Sequence, residues 1–326
     1  MKKVFWTVGI LGLSAFTFFA LDTDVENVRI PASVPTNYES LKGCEKQDIL
    51  WEKAVGSIHK ELPDYKKMGL PQLIGMGMQE IEIKGNLYSD FSPAGWKKYL
   101  HRRGALAKVK IVPVEHSYTG VFQGAECAIL RLSLTYKTAG NKPVAPGLAL
   151  KVLRDGTYSA NISALVSLEG QEKNFNFFRH PMSNIVPISS KLGQKLVHGI
   201  FSTVSNFPEE LILEDMAEIN AQGEKTASAL SPRQIFFVPG KSVATFSSDE
   251  HDVREDFLKI PEGTVIYQIF ALTQKYKDFD YSNYNSESAD EFLKESEHIA
   301  DIVTTSEFTT SEFGDDGIFF RHQIRP

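Results

Sequence analysis

The stretch VAPGLALKVLRDGTYSANISALVSL, residues 144–168, constrains this chain more than any other. Its apolar residues recur with a period of two on either side of Asp155-Gly156. An aspartate-glycine pair between alternating runs is a strong short hairpin signal, so two antiparallel strands are expected. The same period governs KVKIVPVEH (108–116) and TGVFQGAECAILRLSLTY (119–136). It returns late in the chain as RQIFFVPG (233–240), GTVIYQIFALTQKY (263–276), HIADIVTTSEFTTSEF (298–313) and GIFFRHQ (317–323).

Helical spacing interrupts the strands. Residues 46–59 (KQDILWEKAVGSIH) put Ile49, Leu50, Ala54, Val55 and Ile58 on one stripe. A short helix is expected over 92–99, with Ser92 as cap and Pro93 at the first helical position. Two more are expected over 189–207 and 208–223, the second opening with Pro208 and ending at Gly223. Strands, helices, then strands describe an α+β chain. The polar, acidic residues 276–297 read as an exposed connection. TTSEF occurs twice in tandem, at 304–308 and 309–313, and a spacing of five turns the second copy to the other face of a strand unless a bulge intervenes.

The chain has 326 residues and 42% hydrophobic content, enough for a sizeable core. Its formal charge of −6 offers no basic face for a phosphate backbone, so nucleic acid is not an expected partner. At the N-terminus, Lys2 and Lys3 precede an uncharged apolar run from Val4 to Leu21. That pattern is an export signal or, if kept, a membrane anchor, and it makes the protein periplasmic, secreted or tied to a membrane. Residues 22–45 are mostly polar and read as an arm or linker, leaving 46–326 as one domain. The two cysteines, Cys44 and Cys127, have no metal or redox spacing. They either pair with each other or stay as two buried thiols.

No GxSxG elbow, HExxH, P-loop or GxGxxG after a strand is present. The cluster Asp249-Glu250-His251-Asp252 reads as a solvated loop. Polar residues inside strands are more informative. Arg131 and Ser133 share one strand face, and a buried guanidinium there would need an anion. Asn161 and Ser163 share another, and Asn161-Ile162-Ser163 is also a glycosylation sequon, which would put that strand at the surface.

In order along the chain, His101-Arg102-Arg103-Gly104-Ala105-Leu106-Ala107, Arg131-Leu132-Ser133, residues 146–152 with Asp155-Gly156, and Phe177-Phe178-Arg179-His180-Pro181 resemble motifs of the heme-dependent catalase superfamily. The resemblance spans about residues 99–187. It implies an antiparallel catalase-like β-barrel with inserted helices and a heme against its face. On the resemblance, His101 takes the place of the distal histidine and Asn161 that of the amide donor beside it. Ser163, Asn174 and Asn176 are other placements for the amide. Arg131, with Ser133, falls near the heme propionates, and Gly104 would let backbone and a flat cofactor approach closely.

The imidazole would move a proton between peroxide oxygens while the amide steadies developing charge. The sequence departs from the family on the far side of the heme. Its one RxxxY, Arg154 to Tyr158, spans the Asp155-Gly156 turn, so a tyrosine ligand to iron cannot be carried over. The expected activity is therefore a peroxide-handling oxidoreductase acting on hydrogen peroxide or organic hydroperoxides if heme is held. Otherwise the chain is a non-catalytic module of the same fold binding a hydrophobic small molecule, with Phe122, Phe177 and Phe178 lining its pocket. A cell-envelope partner protein without a small-molecule site is a third reading.

Overall fold

Alternation in the strand sequences becomes an inside and an outside. The computed structural model describes residues 34–55, 90–91, 103–114, 125–134, 146–156, 159–166, 181–183, 218–219, 225–226, 235–241, 254–271, 286–310 and 317–320. Strands β1 (Arg103–Pro113), β2 (Cys127–Leu134), β3 (Pro146–Leu153), β4 (Ala160–Val166) and β5 (Met182–Ser183) pair antiparallel, each with the next. Two-residue strands β6 (Glu218–Ile219) and β7 (Lys225–Thr226) form a separate pair. The main sheet continues through β8 (Ile235–Pro239), β9 (Val265–Ala271) and β10 (Glu297–Thr304), and β10 pairs back onto β1. Eight strands thus close an antiparallel barrel, which leaves no free edge to aggregate.

Inward positions are apolar: Ala105, Ala107, Val109 and Ile111 on β1, Ala128, Leu130 and Leu132 on β2, Leu148, Leu150 and Val152 on β3, Ile162 and Ala164 on β4. Met182, Phe237 and Tyr267, each 0% exposed, join them from the other side. The β3–β4 turn falls at Asp155-Gly156, as the sequence reading expects, with Gly156 at φ 62°.

The tandem TTSEF also behaves as expected. Thr304 pairs with inward-facing Val109, whereas Thr309, opening β11 (Thr309–Thr310), pairs with outward-facing Leu106. Thr304 and Thr309 are five residues apart while their partners Val109 and Leu106 are three apart, and this excess of two residues preserves the parity. Phe308 of the first copy turns into the core and stacks on Phe257 of the short helix Arg254–Phe257.

Three helix expectations change. The N-terminal helix, α1 (Gly43–Leu50), starts three residues early and runs into a π turn at Trp51–Val55. It starts there because the Asp155 carboxylate accepts from the Gly43 N–H at 2.7 Å and a side chain on Gly43 would collide with the Leu153 carbonyl. Residues 286–295, read as part of an exposed connection, form a helix. Serine opens it, good helix formers fill it, and Phe292 and Leu293 are half-buried while Asp290, Glu291, Lys294 and Glu295 face water. At 218–219, inside an expected helix, the chain is extended as β6, with the turn-favouring residues Asn220 and Gly223 following. The helices expected over 92–99 and 189–207 lie outside the described residues. No helix among the described residues is long and apolar enough to cross a membrane.

An outer layer covers β1–β3. Residues 34–50 from the N-terminal arm, residues 90–91 and residues 317–320 pack on Leu106, Ile129 and Leu153, with Tyr38, Leu50, Phe91, Ile318 and Phe320 as its buried apolar members. Phe91 and Ile318 form an isolated antiparallel bridge. A disulfide between Cys44 and Cys127 fastens α1 to the start of β2, resolving the cysteine alternatives in favour of pairing.

Candidate functional site

Strand register arranges the outward face of β1–β4 in rows. Gly104, Ser133, Gly147 and Leu165 stand side by side. Leu106, Arg131, Ala149 and Ser163 form the next row, and Lys108, Ile129, Lys151 and Asn161 the one after. Polar residues concentrate here, and they are buried: Arg131 and Ser133 are each 4% exposed, Ser163 3%, Asn161 5% and Lys151 1%. The register therefore brings Arg131, Ser133 and Asn161 onto one outward face. Ser163 shares the row of Arg131, while Asn161 lies one row further along, opposite Lys151. Because Asn161 is buried in a strand, the folded barrel has no room for a glycan on it.

Gly104 is required by a neighbour within the chain. A Cβ on it would lie 2.8 Å from a terminal guanidinium nitrogen of Arg131 and 2.9 Å from the Leu132 carbonyl oxygen. The chain's own arginine, lying diagonally across from it, fills this space. The pair places a buried cation over a row in which Gly104, Ser133 and Gly147 carry nothing larger than a hydroxymethyl group.

One row away lies a cluster that sequence reasoning missed. The Lys151 ammonium donates to Asp90 Oδ1 at 3.0 Å, and Asp90 Oδ2 accepts from Ser159 Oγ at 2.7 Å and from the Tyr38 hydroxyl at 2.9 Å. Asp90 is 2% exposed, and its three donors make its negative charge tolerable in a dry site. Burial, followed by the Asp90 charge beside it, pushes the Tyr38 hydroxyl far above the usual tyrosine range. Tyr38 is thus a neutral donor.

Phe320 lies 5.7 Å from the Lys151 nitrogen, and Tyr38 meets Phe91 edge to face at 5.4 Å. Lys46 of α1 donates to the Arg154 carbonyl at 2.9 Å, and burial pulls its ammonium below the ordinary lysine value. Gln47 donates to the carbonyls of Val109 and Ala128, a register pair of β1 and β2. The only sequence signal for the cluster was a lysine among small and apolar outward positions of β3. Asp90 carried none.

A heme would meet these residues as follows. Arg131 supplies a buried cation of the kind that holds a heme carboxylate, and the Asn161 Oδ1 atom is buried without a hydrogen-bond partner. On this polar side the residues fit the group. For the axial side, Tyr38 is unsuited, because its proton is held and its hydroxyl is committed to Asp90. Both cysteines are in the disulfide. Among the described residues no group of three or more His, Cys, Asp or Glu forms a metal site. His101, Phe122, Asn174, Asn176, Phe177, Phe178 and the cluster at 249–252 lie outside the described residues.

What fold and site define is an eight-stranded antiparallel barrel with a buried, cationic and amide-bearing outer face. No protein-family model, curated protein sequence or solved structure matches this chain.

Proposed function

We propose that this chain is a catalase-like barrel protein that carries a heme against the outward face of β1–β4 and acts on hydrogen peroxide or on organic, including lipid, hydroperoxides. The observation that carries the proposal is the register of the outer face: Arg131, buried and laid over Gly104, has Ser133 two residues along its own strand and Ser163 in its row, so a cation and two hydroxyls of the kind that hold a carboxylate stand on one face. Heme, when bound, supplies the redox chemistry on peroxide. The chain's own part is to hold the carboxylate through Arg131, keep water off the face with Leu106, Ile129 and the outer layer, and present an amide at Asn161. His101, two residues before β1, is the proton-moving group in this reading. The Cys44–Cys127 disulfide supports an oxidising, exported setting, in agreement with the N-terminal segment.

Hemin titrated into the purified protein tests the proposal. A Soret band that weakens in Arg131→Leu, together with peroxide consumption lost in His101→Ala, is expected, and no band at any hemin concentration would refute it. A second reading is a non-catalytic module of the same barrel that binds a hydrophobic small molecule at the cell envelope. Mass spectrometry of small molecules released from the native protein separates the two, since only the second predicts a lipid-like species without heme.

A further inference from the structure

We propose that Lys151 and Asn161 together seat one small hydroxylic molecule, water or hydrogen peroxide, on the outward face between β3 and β4. The two residues are directly opposite each other in the β3–β4 register, with both side chains on the outer face, and both are more than nine-tenths buried.

Each is left with an unmet bond. The Lys151 ammonium has three N–H groups. One goes to Asp90 Oδ1, and the Phe320 ring occupies another side of the nitrogen at 5.7 Å. A donor remains. It has no acceptor to turn to on Asp90, whose Oδ2 already takes the Tyr38 and Ser159 hydroxyls. Across the strand gap, Asn161 Oδ1 is buried and accepts from no group among the described residues. An unmet buried acceptor and a spare buried donor on adjacent strands are the usual setting of an ordered bridging molecule, because leaving both unmet would cost more than immobilising the bridge.

The two atoms also dictate what the bridge is. It must accept from an ammonium and donate to an amide oxygen. A simple anion has no proton for Asn161, and a metal cation is repelled by Lys151. A hydrocarbon satisfies neither. An O–H group that both donates and accepts satisfies both. Water and hydrogen peroxide share that chemistry. The peroxide arm rests on the function proposed above, whereas the seat itself does not.

The test uses the full chain without added hemin, so a missing Soret band leaves it unaffected. Asn161→Leu keeps the size of the side chain and removes the acceptor. If the seat is filled, the melting temperature falls by several degrees, and Asn161→Ser, which keeps an oxygen, falls less. If the acceptor is simply stranded, Asn161→Leu relieves it and the melting temperature rises, which overturns the proposal.

Should Asn161→Leu fail to fold, a crystal structure of the native chain decides. Electron density within about 3 Å of both Lys151 Nζ and Asn161 Oδ1 is expected, and its absence overturns the seat. Crystals soaked in hydrogen peroxide then tell the two molecules apart. Density that lengthens to two atoms identifies a peroxide seat, and a single unchanged peak identifies water.

Discussion

Inside the barrel, Leu130, Leu150, Ile162 and Phe237 are fully enclosed within one apolar cluster. On the outside of the same strands, Arg131, Lys151 and Asn161 are enclosed almost as completely, yet each carries polar atoms. The inner surface is held by shape and volume, so any side chain of similar size serves. The outer surface is held by partners. Its stability depends on whether Asp90 lies against Lys151 and whether Arg131 has Gly104 to lie on. The two surfaces should therefore fail differently when a residue is removed.

Asp90→Ala should break the comparison most sharply. It leaves the Lys151 ammonium buried without its carboxylate and frees the Tyr38 and Ser159 hydroxyls, at a cost of about 3–5 kcal/mol. Adding Lys151→Met should recover most of that loss, because an apolar side chain of similar length then fills the site. Inside the barrel, Leu150→Ala costs about 2–5 kcal/mol, and no polar-to-apolar change on a neighbour should restore it. Urea midpoints for the three variants and the wild type give the answer. A double variant no more stable than Asp90→Ala would show that the outer face also rests on volume.

Next in size is the disulfide. Cys44 and Cys127 are 83 residues apart, and closing so long a loop restricts the unfolded chain by about 4 kcal/mol. Replacing both by serine should lower stability by about 2–4 kcal/mol in denaturant titrations. The folded outer layer should nevertheless persist, since α1 is also held by Asp155 on Gly43, by Lys46 on the Arg154 carbonyl and by Gln47 on Val109 and Ala128. Far-ultraviolet circular dichroism unchanged from wild type at low temperature is the expected companion result. Loss of helical signal there would mean the disulfide alone places α1.

These unequal surfaces explain what the sequence made readable. Strand periodicity and the Asp155-Gly156 turn reveal the inner face directly, because alternation is a property of neighbours two apart. Arg131, Ser133 and Asn161 were singled out for the complementary reason, as polar residues inside strands. The partner that matters most to Lys151 was not readable. Asp90 lies 61 residues away in the chain, and nothing in its local sequence marks a buried carboxylate. Lys46 and Gln47 were likewise hidden, since helical spacing highlights the apolar stripe and passes over polar residues that bond to a neighbouring strand. Gly104 is legible as a glycine inside a strand, but its neighbour is not. Only register shows that Arg131 falls diagonally across from it.

A smaller effect tests that diagonal. Gly104→Ala would put a methyl 2.8–2.9 Å from the Arg131 guanidinium and the Leu132 carbonyl, and the backbone oxygen cannot step aside cheaply. A loss of about 1–3 kcal/mol is expected, read as a shift of the urea midpoint. Gly104→Ala combined with Arg131→Leu should lose less than the two changes summed, because the leucine has no guanidinium to collide with. At Gly156, where φ is 62° and nothing lies near a Cβ, alanine should cost about 1 kcal/mol through backbone strain alone, with no dependence on Arg131. Strict additivity at Gly104 would remove Arg131 as the reason for the glycine.

The smallest expected effect separates the two surfaces by pH. Tyr38 on the outer face and Tyr267 inside the barrel both hold their protons well above the ordinary tyrosine value of 10.0, Tyr267 through burial alone and Tyr38 through burial with Asp90 beside it. Above that value the unfolded chain releases each proton while the folded chain keeps it. The unfolded state then binds fewer protons, so stability, intact below pH 10, falls as pH rises. Lys46 acts in the opposite sense, because its folded ammonium gives up its proton more readily than the ordinary lysine at 10.5, but that contribution is complete once pH passes 10.5. Between pH 10.5 and 12 the two tyrosines should each contribute a slope of about 1.4 kcal/mol per pH unit. Tyr38→Phe should remove one of them while leaving the Tyr267 slope in place, and Tyr267→Phe the reverse. Melting temperatures across that range measure both. If Tyr38→Phe leaves the slope unchanged, Tyr38 releases its proton in the folded state, and the outer layer is more open to water than its burial implies.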